Sequence, residues 1–150
     1  MRNWYRKCRT HHNKCRGTTS RGQIAVDELH SLPLRVIDVG PRESTNDPRL
    51  VDTTGFSKGH WVALSHCWGD LEFHPLKTTR ANVNEHMRSI PFSTLPKTFV
   101  DAIVVTRALS LRYLWIDSLC IIQDDEEDWR TQSREMGVIY EHAVLTVAAS

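Results

Sequence analysis

The sequence predicts an α/β fold: a parallel sheet flanked by helices, with a β-hairpin ahead of it. Two observations carry this. Residues 60–150 alternate strand, helix, strand, helix, strand, the order that right-handed crossovers feed into a parallel sheet. Trp61-Val62-Ala63-Leu64-Ser65 and Tyr113-Leu114-Trp115-Ile116 are nearly continuously apolar, as strands covered on both faces are. At 150 residues, 40% hydrophobic and 25% charged, the chain has the composition of a globular protein. Such a length buries about 70% of its unfolded surface, enough for a core without disulfide staples.

Leu34 to Val39 alternates with period two and ends at Gly40-Pro41, so it reads as a strand. Arg49 to Asp52 is its expected antiparallel partner, with turn chemistry over Glu43 to Pro48 between them. After the Trp61 strand, a polar stretch holds one short helix between Thr79 and Arg88. Pro96 then stands where the first residue of a helix belongs, with Thr94 as the cap. Phe99, Ala102, Ile103, Thr106 and Leu109 follow at three- and four-residue spacing, which sets an apolar stripe on a helix over Lys97 to Leu109. Five carboxylates from Asp124 to Asp128 mark the next helix start, where they complement the positive end of its dipole. Its inward face is expected to carry Trp129, Ser133, Met136, Tyr140 and Ala143, and Val144 to Ala149 reads as a third buried strand. A buried parallel strand wants a neighbour and cover on both faces, so the sequence is expected to be the N-terminal part of a longer design.

Charge is balanced overall, with 19 basic and 18 acidic residues and a formal charge of +1, which excludes a uniformly polyanion-binding protein. It is uneven locally. Residues 1–22 carry Arg2, Arg6, Lys7, Arg9, Lys14, Arg16 and Arg21 and no carboxylate. This basic arm is read as a solvated leader rather than a nucleic-acid grip, since phosphate contacts alone carry no base readout. Residues 1–31 form the accessory segment, with a short helix around Trp4 to His11 and a loop from Gly17 to Gly22; residues 32–59 are hairpin and linker. Asp101, Arg107, Arg112 and Asp117 interrupt the most apolar stretch, Phe99 to Ile122, so it does not read as a membrane span. With no apolar leader after the first basic residues and only four cysteines, the sequence reads as a cytoplasmic protein with reduced thiols.

Open parallel sheets bind ligands beyond the carboxyl ends of their strands. That rule selects Ser65, His66, Cys67, Trp68, Gly69 and Asp70 after the first parallel strand, and Asp117, Ser118, Leu119 and Cys120 after the second. Thiol catalysis by Cys67 or Cys120, with His66 as base and Asp117 as orienter, is disfavoured because strand neighbours point to opposite faces and Cys120 lies among apolar residues. Cys8, His12 and Cys15 offer three zinc-type ligands but no fourth, so no metal is expected. Neither GxGxxG nor a P-loop occurs, and no cofactor is called for by motif. Trp115, Ile116, Leu119, Ile121, Ile122 and Tyr140 read as core.

Four ordered blocks point further: Trp61 to Gly69, Leu95 to Phe99 with Asp101-Ala102-Ile103, Arg112 to Asp124, and Met136 with Ile139-Tyr140 and Ala148-Ala149-Ser150. In this order and spacing, residues 60–150 resemble the heterokaryon-incompatibility (HET) domain of filamentous fungi. Leu34 to Val39 and the Trp4/Cys8/His12/Cys15 segment resemble what commonly precedes it. The resemblance implies non-self recognition and programmed cell death, with protein partners and self-association; the residues themselves give no membrane span and do not favour a nucleic-acid partner. HET domains are remotely similar to TIR domains, which implies a flavodoxin-like sheet and, as the alternative, binding or cleavage of NAD in the crevice of Ser65, His66, Cys67, Trp68, Gly69, Asp117 and Ser118. The glutamate used by NAD-cleaving TIR domains lies on the helix after the third strand of the sheet, past Ser150; Glu135 and Glu141 sit on the preceding helix and do not match it.

Overall fold

The computed structural model describes residues 29–54, 58–67 and 76–149. The readings placed on residues 1–28 (the basic arm, the Trp4 to His11 helix, the Gly17 to Gly22 loop and Cys8, His12 and Cys15), and those on Trp68, Gly69, Asp70 and Ser150, lie outside the described residues. Five strands form one mixed sheet: β1 (Arg35–Asp38), β2 (Arg49–Asp52), β3 (Trp61–His66), β4 (Tyr113–Ile116) and β5 (Leu145–Ala149). Four helices join them: α1 (Val83–Arg88), α2 (Lys97–Ala108), the single turn α3 (Asp117–Cys120) and α4 (Glu126–His142). The order across the sheet is β2-β1-β4-β3-β5. β3 runs parallel to both β4 and β5, while β1 is antiparallel to β2 and to β4. The expected α/β fold, parallel core and hairpin are all present, and the hairpin continues the same sheet through β4.

β3 lies between its two parallel partners with Trp61, Val62, Ala63 and Leu64 each at most 1% exposed. The crossovers from β3 to β4 and from β4 to β5 run in opposite directions, which puts α2 and α4 on opposite faces. Side-chain alternation along β3 agrees. Trp61 donates its indole N–H to the Ile139 carbonyl of α4 (3.1 Å), whereas the His66 ring meets the edge of Phe99 on α2 (5.0 Å between ring centres). All five stripe residues, from Phe99 on α2 to Leu109 at its C-cap, are buried as the spacing requires. The polar one, Thr106, is satisfied by donating to the Ala102 carbonyl one turn back (2.8 Å).

Four details differ from the sequence reading. Pro96 caps α2 rather than opening it, and Thr94 instead donates to the Pro91 carbonyl (2.7 Å), closing the short 3-10 turn Phe92–Thr94. α4 starts at the acidic run as expected, with the Asp125 carboxylate accepting from the Glu127 and Asp128 N–H groups (3.1 Å each). Its inward line, however, is Gln132, Met136, Ile139, Tyr140 and Ala143, and Trp129 is 53% exposed. Asp128 takes the inward position of the first turn, so Trp129, about 100° further round the helix, faces out. Lastly, β5 is an edge strand covered on one face: Thr146 and Ala148 are exposed between half-buried Leu145, Val147 and Ala149.

Asp128 turns inward to meet Arg35. Both side chains are nearly buried, with 12% and 7% exposure. The Arg35 guanidinium donates to the Asp128 carboxylate and, through Nε, to the Cys120 carbonyl (2.8 Å); the same carboxylate accepts the Ile122 N–H (2.8 Å). A buried pair offsets its desolvation only with such extra bonds, and breaking it strands a charge. Replacing Arg35 by Met is therefore expected to lower the unfolding free energy in urea by about 3 kcal/mol. Trp129→Ala, on the exposed side of the same turn, should change it by less than about 0.5 kcal/mol.

Candidate functional site

Parallel register sets Leu64 opposite Ile116, so the two strands end side by side. β3 is also where the crossovers reverse direction, which is the position that open α/β sheets use for ligands. Ser65 and His66 are the last two residues of β3, and Cys67 follows as an exposed free thiol. Asp117 and Ser118 start α3 at the end of β4.

Alternation sends Ser65 and His66 to opposite faces. On the α4 side, Tyr140 donates its hydroxyl to the Leu64 carbonyl (3.3 Å), and its ring meets the edge of Trp115 at 5.4 Å. Burial pushes the Tyr140 hydroxyl up to about 12, the Asp117 charge adds to this, and a hydrogen bond with Ser65 partly offsets it. Tyr140 therefore stays protonated at neutral pH. On the α2 side, His66 has only 6% of its side chain exposed, and its Nδ1 lies 3.8 Å from the Asp117 carboxylate. That is an ion-pair distance but too long for a hydrogen bond. Among the described residues neither ring nitrogen of His66 has a hydrogen-bond partner, and neither does the Ser118 hydroxyl, which is fully buried. Buried polar groups are nearly always paired, so three such atoms together make this sheet end the candidate site.

The thiols separate clearly. Cys120 is fully buried, and burial pushes its thiol up to about 12, against the opposing help of the Ile116 and Ile37 backbone bonds and Arg35. A thiolate there is inaccessible, which removes Cys120 as a nucleophile. No group of three or more His, Cys, Asp or Glu among the described residues suits a metal ion. No helix among them is long and apolar enough to cross a membrane.

The turn carrying Asp117 is clamped by residues from the polar stretch between β3 and α2. Thr78 forms a parallel bridge with Ile122; its N–H donates to the Ser118 carbonyl (2.9 Å) and its carbonyl accepts the Gln123 N–H (2.8 Å). The Thr78 hydroxyl donates its one proton to the Leu119 carbonyl (2.7 Å), so it must accept from His86 Nδ1 (2.9 Å), which fixes the ring proton on that nitrogen. Gln123 adds side-chain bonds to the Asp117 and Ile121 carbonyls (3.1 and 3.0 Å). Nothing local in the sequence announces this role for Thr78 or His86. Two sizeable concavities lie away from the strand tips: one of about 410 Å³ beside Trp61 and Ile139, at the start of β3, and one of about 630 Å³ beside the β1–β2 loop.

Residues 61–150, more than half of the chain, match the family model described as heterokaryon incompatibility protein (HET). The chain belongs to the HET family. No curated protein and no solved structure matches it.

Two stability measurements follow from this geometry. Burial holds His86 below its ordinary 6.5, against the pull of Glu85. A lowered folded value means the stabilisation is complete above about pH 6.5 and is lost as the pH falls through the folded value. Between about pH 7 and about pH 5 the wild type should thus lose stability relative to His86→Gln, as read by urea unfolding at each pH. Ser118→Ala removes an unpaired buried hydroxyl and should raise the unfolding free energy by about 1 kcal/mol; a loss of that size would show the hydroxyl is paired.

Proposed function

We propose that this chain acts in heterokaryon incompatibility as an effector of non-self recognition and regulated cell death in a filamentous fungus, working in the cytoplasm through association with other proteins and with itself. The match of residues 61–150 to the HET family carries this reading. Association is supported by Trp129, a large aromatic left 53% exposed on the first turn of α4 although the core lies on the other side of that helix. Exposed Trp is the residue type that most often anchors protein interfaces. Expression of the chain in fungal cells, with viability and self-association measured together, tests the proposal. The expected result is loss of viability by the wild type, and retained viability with at least about tenfold weaker association for Trp129→Ala at unchanged unfolding free energy. Killing and association both untouched by Trp129→Ala would remove the association route.

A second reading is favoured by His66 and Ser118. Their unpaired nitrogens and hydroxyl, beside Asp117, are suited to a polar small ligand, and binding of a nicotinamide dinucleotide is the candidate. Saturable NAD binding that His66→Phe weakens by about tenfold or more would support it; heat-free titration of NAD into wild-type chain would dismiss it.

A further inference from the structure

The basin of about 630 Å³ beside the β1–β2 loop lies at the far end of the sheet from the strand tips, because Asp38 pairs with Tyr113, the first residue of β4. Three arginines line it: Arg49 from β2, Arg88 from the end of α1 and Arg112 just before β4. Its two carboxylates are already engaged. Asp38 is 6% exposed and accepts Nε and Nη2 of Arg112 (2.9 and 2.8 Å) and the Gly40 N–H (3.0 Å), with Arg49 at 3.5 Å. Burial alone would raise this carboxyl, but these partners hold it below the ordinary 3.8. Asp47 accepts the Phe92 N–H (3.0 Å) and the Ser89 hydroxyl (3.4 Å).

One arginine is enough to satisfy Asp38, and Arg112 does so with a two-pronged contact. Arg49 and Arg112 nevertheless keep 51% and 59% of their side chains exposed, so donors on both stay open to the basin. Arg88 has no ion pair among the described residues, and the hydroxyls of Ser44 and Thr45 add further donors on the loop. The loop beside it turns tightly on Gly40, which has φ +75° and which Ser44 approaches so closely that a Cβ there would come within 2.8 Å of the Ser44 hydroxyl oxygen.

We infer that this basin binds a phosphorylated small molecule, with a diphosphate group as the recognised element. A planar guanidinium matches phosphate oxygens two at a time, and three of them around one concavity suit a ligand with several charges. A singly charged anion would gain too little in so open a setting, where solvent screens each contact. The volume falls in the range of small-ligand sites, while the concave, part-acidic lining is unlike the uniformly basic track that nucleic acid follows.

Titration of sodium pyrophosphate into the 150-residue chain at constant ionic strength tests the assignment, with orthophosphate and duplex oligonucleotides of increasing length in parallel. The expected result is one saturable pyrophosphate site that Arg88→Gln weakens by about tenfold or more, and Arg49→Gln likewise, at unchanged melting temperature. Lys97→Gln, which removes an exposed charge on α2, should leave it unaltered. Equal affinity for orthophosphate, pyrophosphate binding indifferent to Arg88→Gln and Arg49→Gln, or oligonucleotide affinity that grows with length and outcompetes pyrophosphate would each overturn it.

Discussion

Parallel pairing of β3 with β4, in the register that sets Val62 against Leu114 and Leu64 against Ile116, decides what can meet at the end of the sheet. A slip of one residue would turn every side chain of β3 to the other face. His66 would leave Phe99 and the neighbourhood of Asp117, and Ser65 would leave Tyr140. The register is held by burial more than by the few ladder bonds. Trp61 to Leu64 of β3 and Leu114 to Ile116 of β4 are buried, and Trp61 and Trp115 lie among them with 1% exposure each. At about 25 cal/mol per Å² of apolar surface, exposing even one of those rings would cost more than a pair of backbone hydrogen bonds returns.

The turn after β4 depends on residues remote in sequence. Arg35 from the hairpin and Asp128 from α4 converge on the Cys120 carbonyl and the Ile122 N–H, while Thr78 grips Ser118, Leu119 and Gln123 from the other side. Backbone groups that a one-turn helix leaves unpaired are thereby satisfied from both flanks. The contrast with His66 and Ser118 is informative. Next to that clamp, three polar atoms go without partners, and among the described residues no other buried side-chain nitrogen or oxygen does.

How much of this is legible in the sequence follows from how local each cause is. The strands at Trp61 and Tyr113 show because a short, continuous apolar run bounded by polar residues suits a strand covered on both faces, and the α2 stripe shows because its period is intrinsic to the helix. Ser65, His66, Asp117 and Ser118 emerge from topology alone, since the strand-end rule needs only the strand order and direction. Tyr140 is legible as packing but not as a hydroxyl facing Ser65 and Leu64. The Arg35–Asp128 pair spans 93 residues and leaves no local trace; it also displaces Trp129 from the core, which no periodicity could foresee. Thr78 and His86 sit in a polar stretch whose composition resembles any loop.

The geometry rests on one structural proposition, that β3 and β4 end together and point the same way, so that their tips lie side by side. Backbone NOEs between these strands in isotope-labelled protein test it most directly. The account predicts the offset cross-strand pattern of parallel neighbours linking Ala63 with Trp115 and Leu64 with Ile116. Close α-proton pairs of an antiparallel ladder, or contacts placing β1 rather than β4 beside β3, would contradict it.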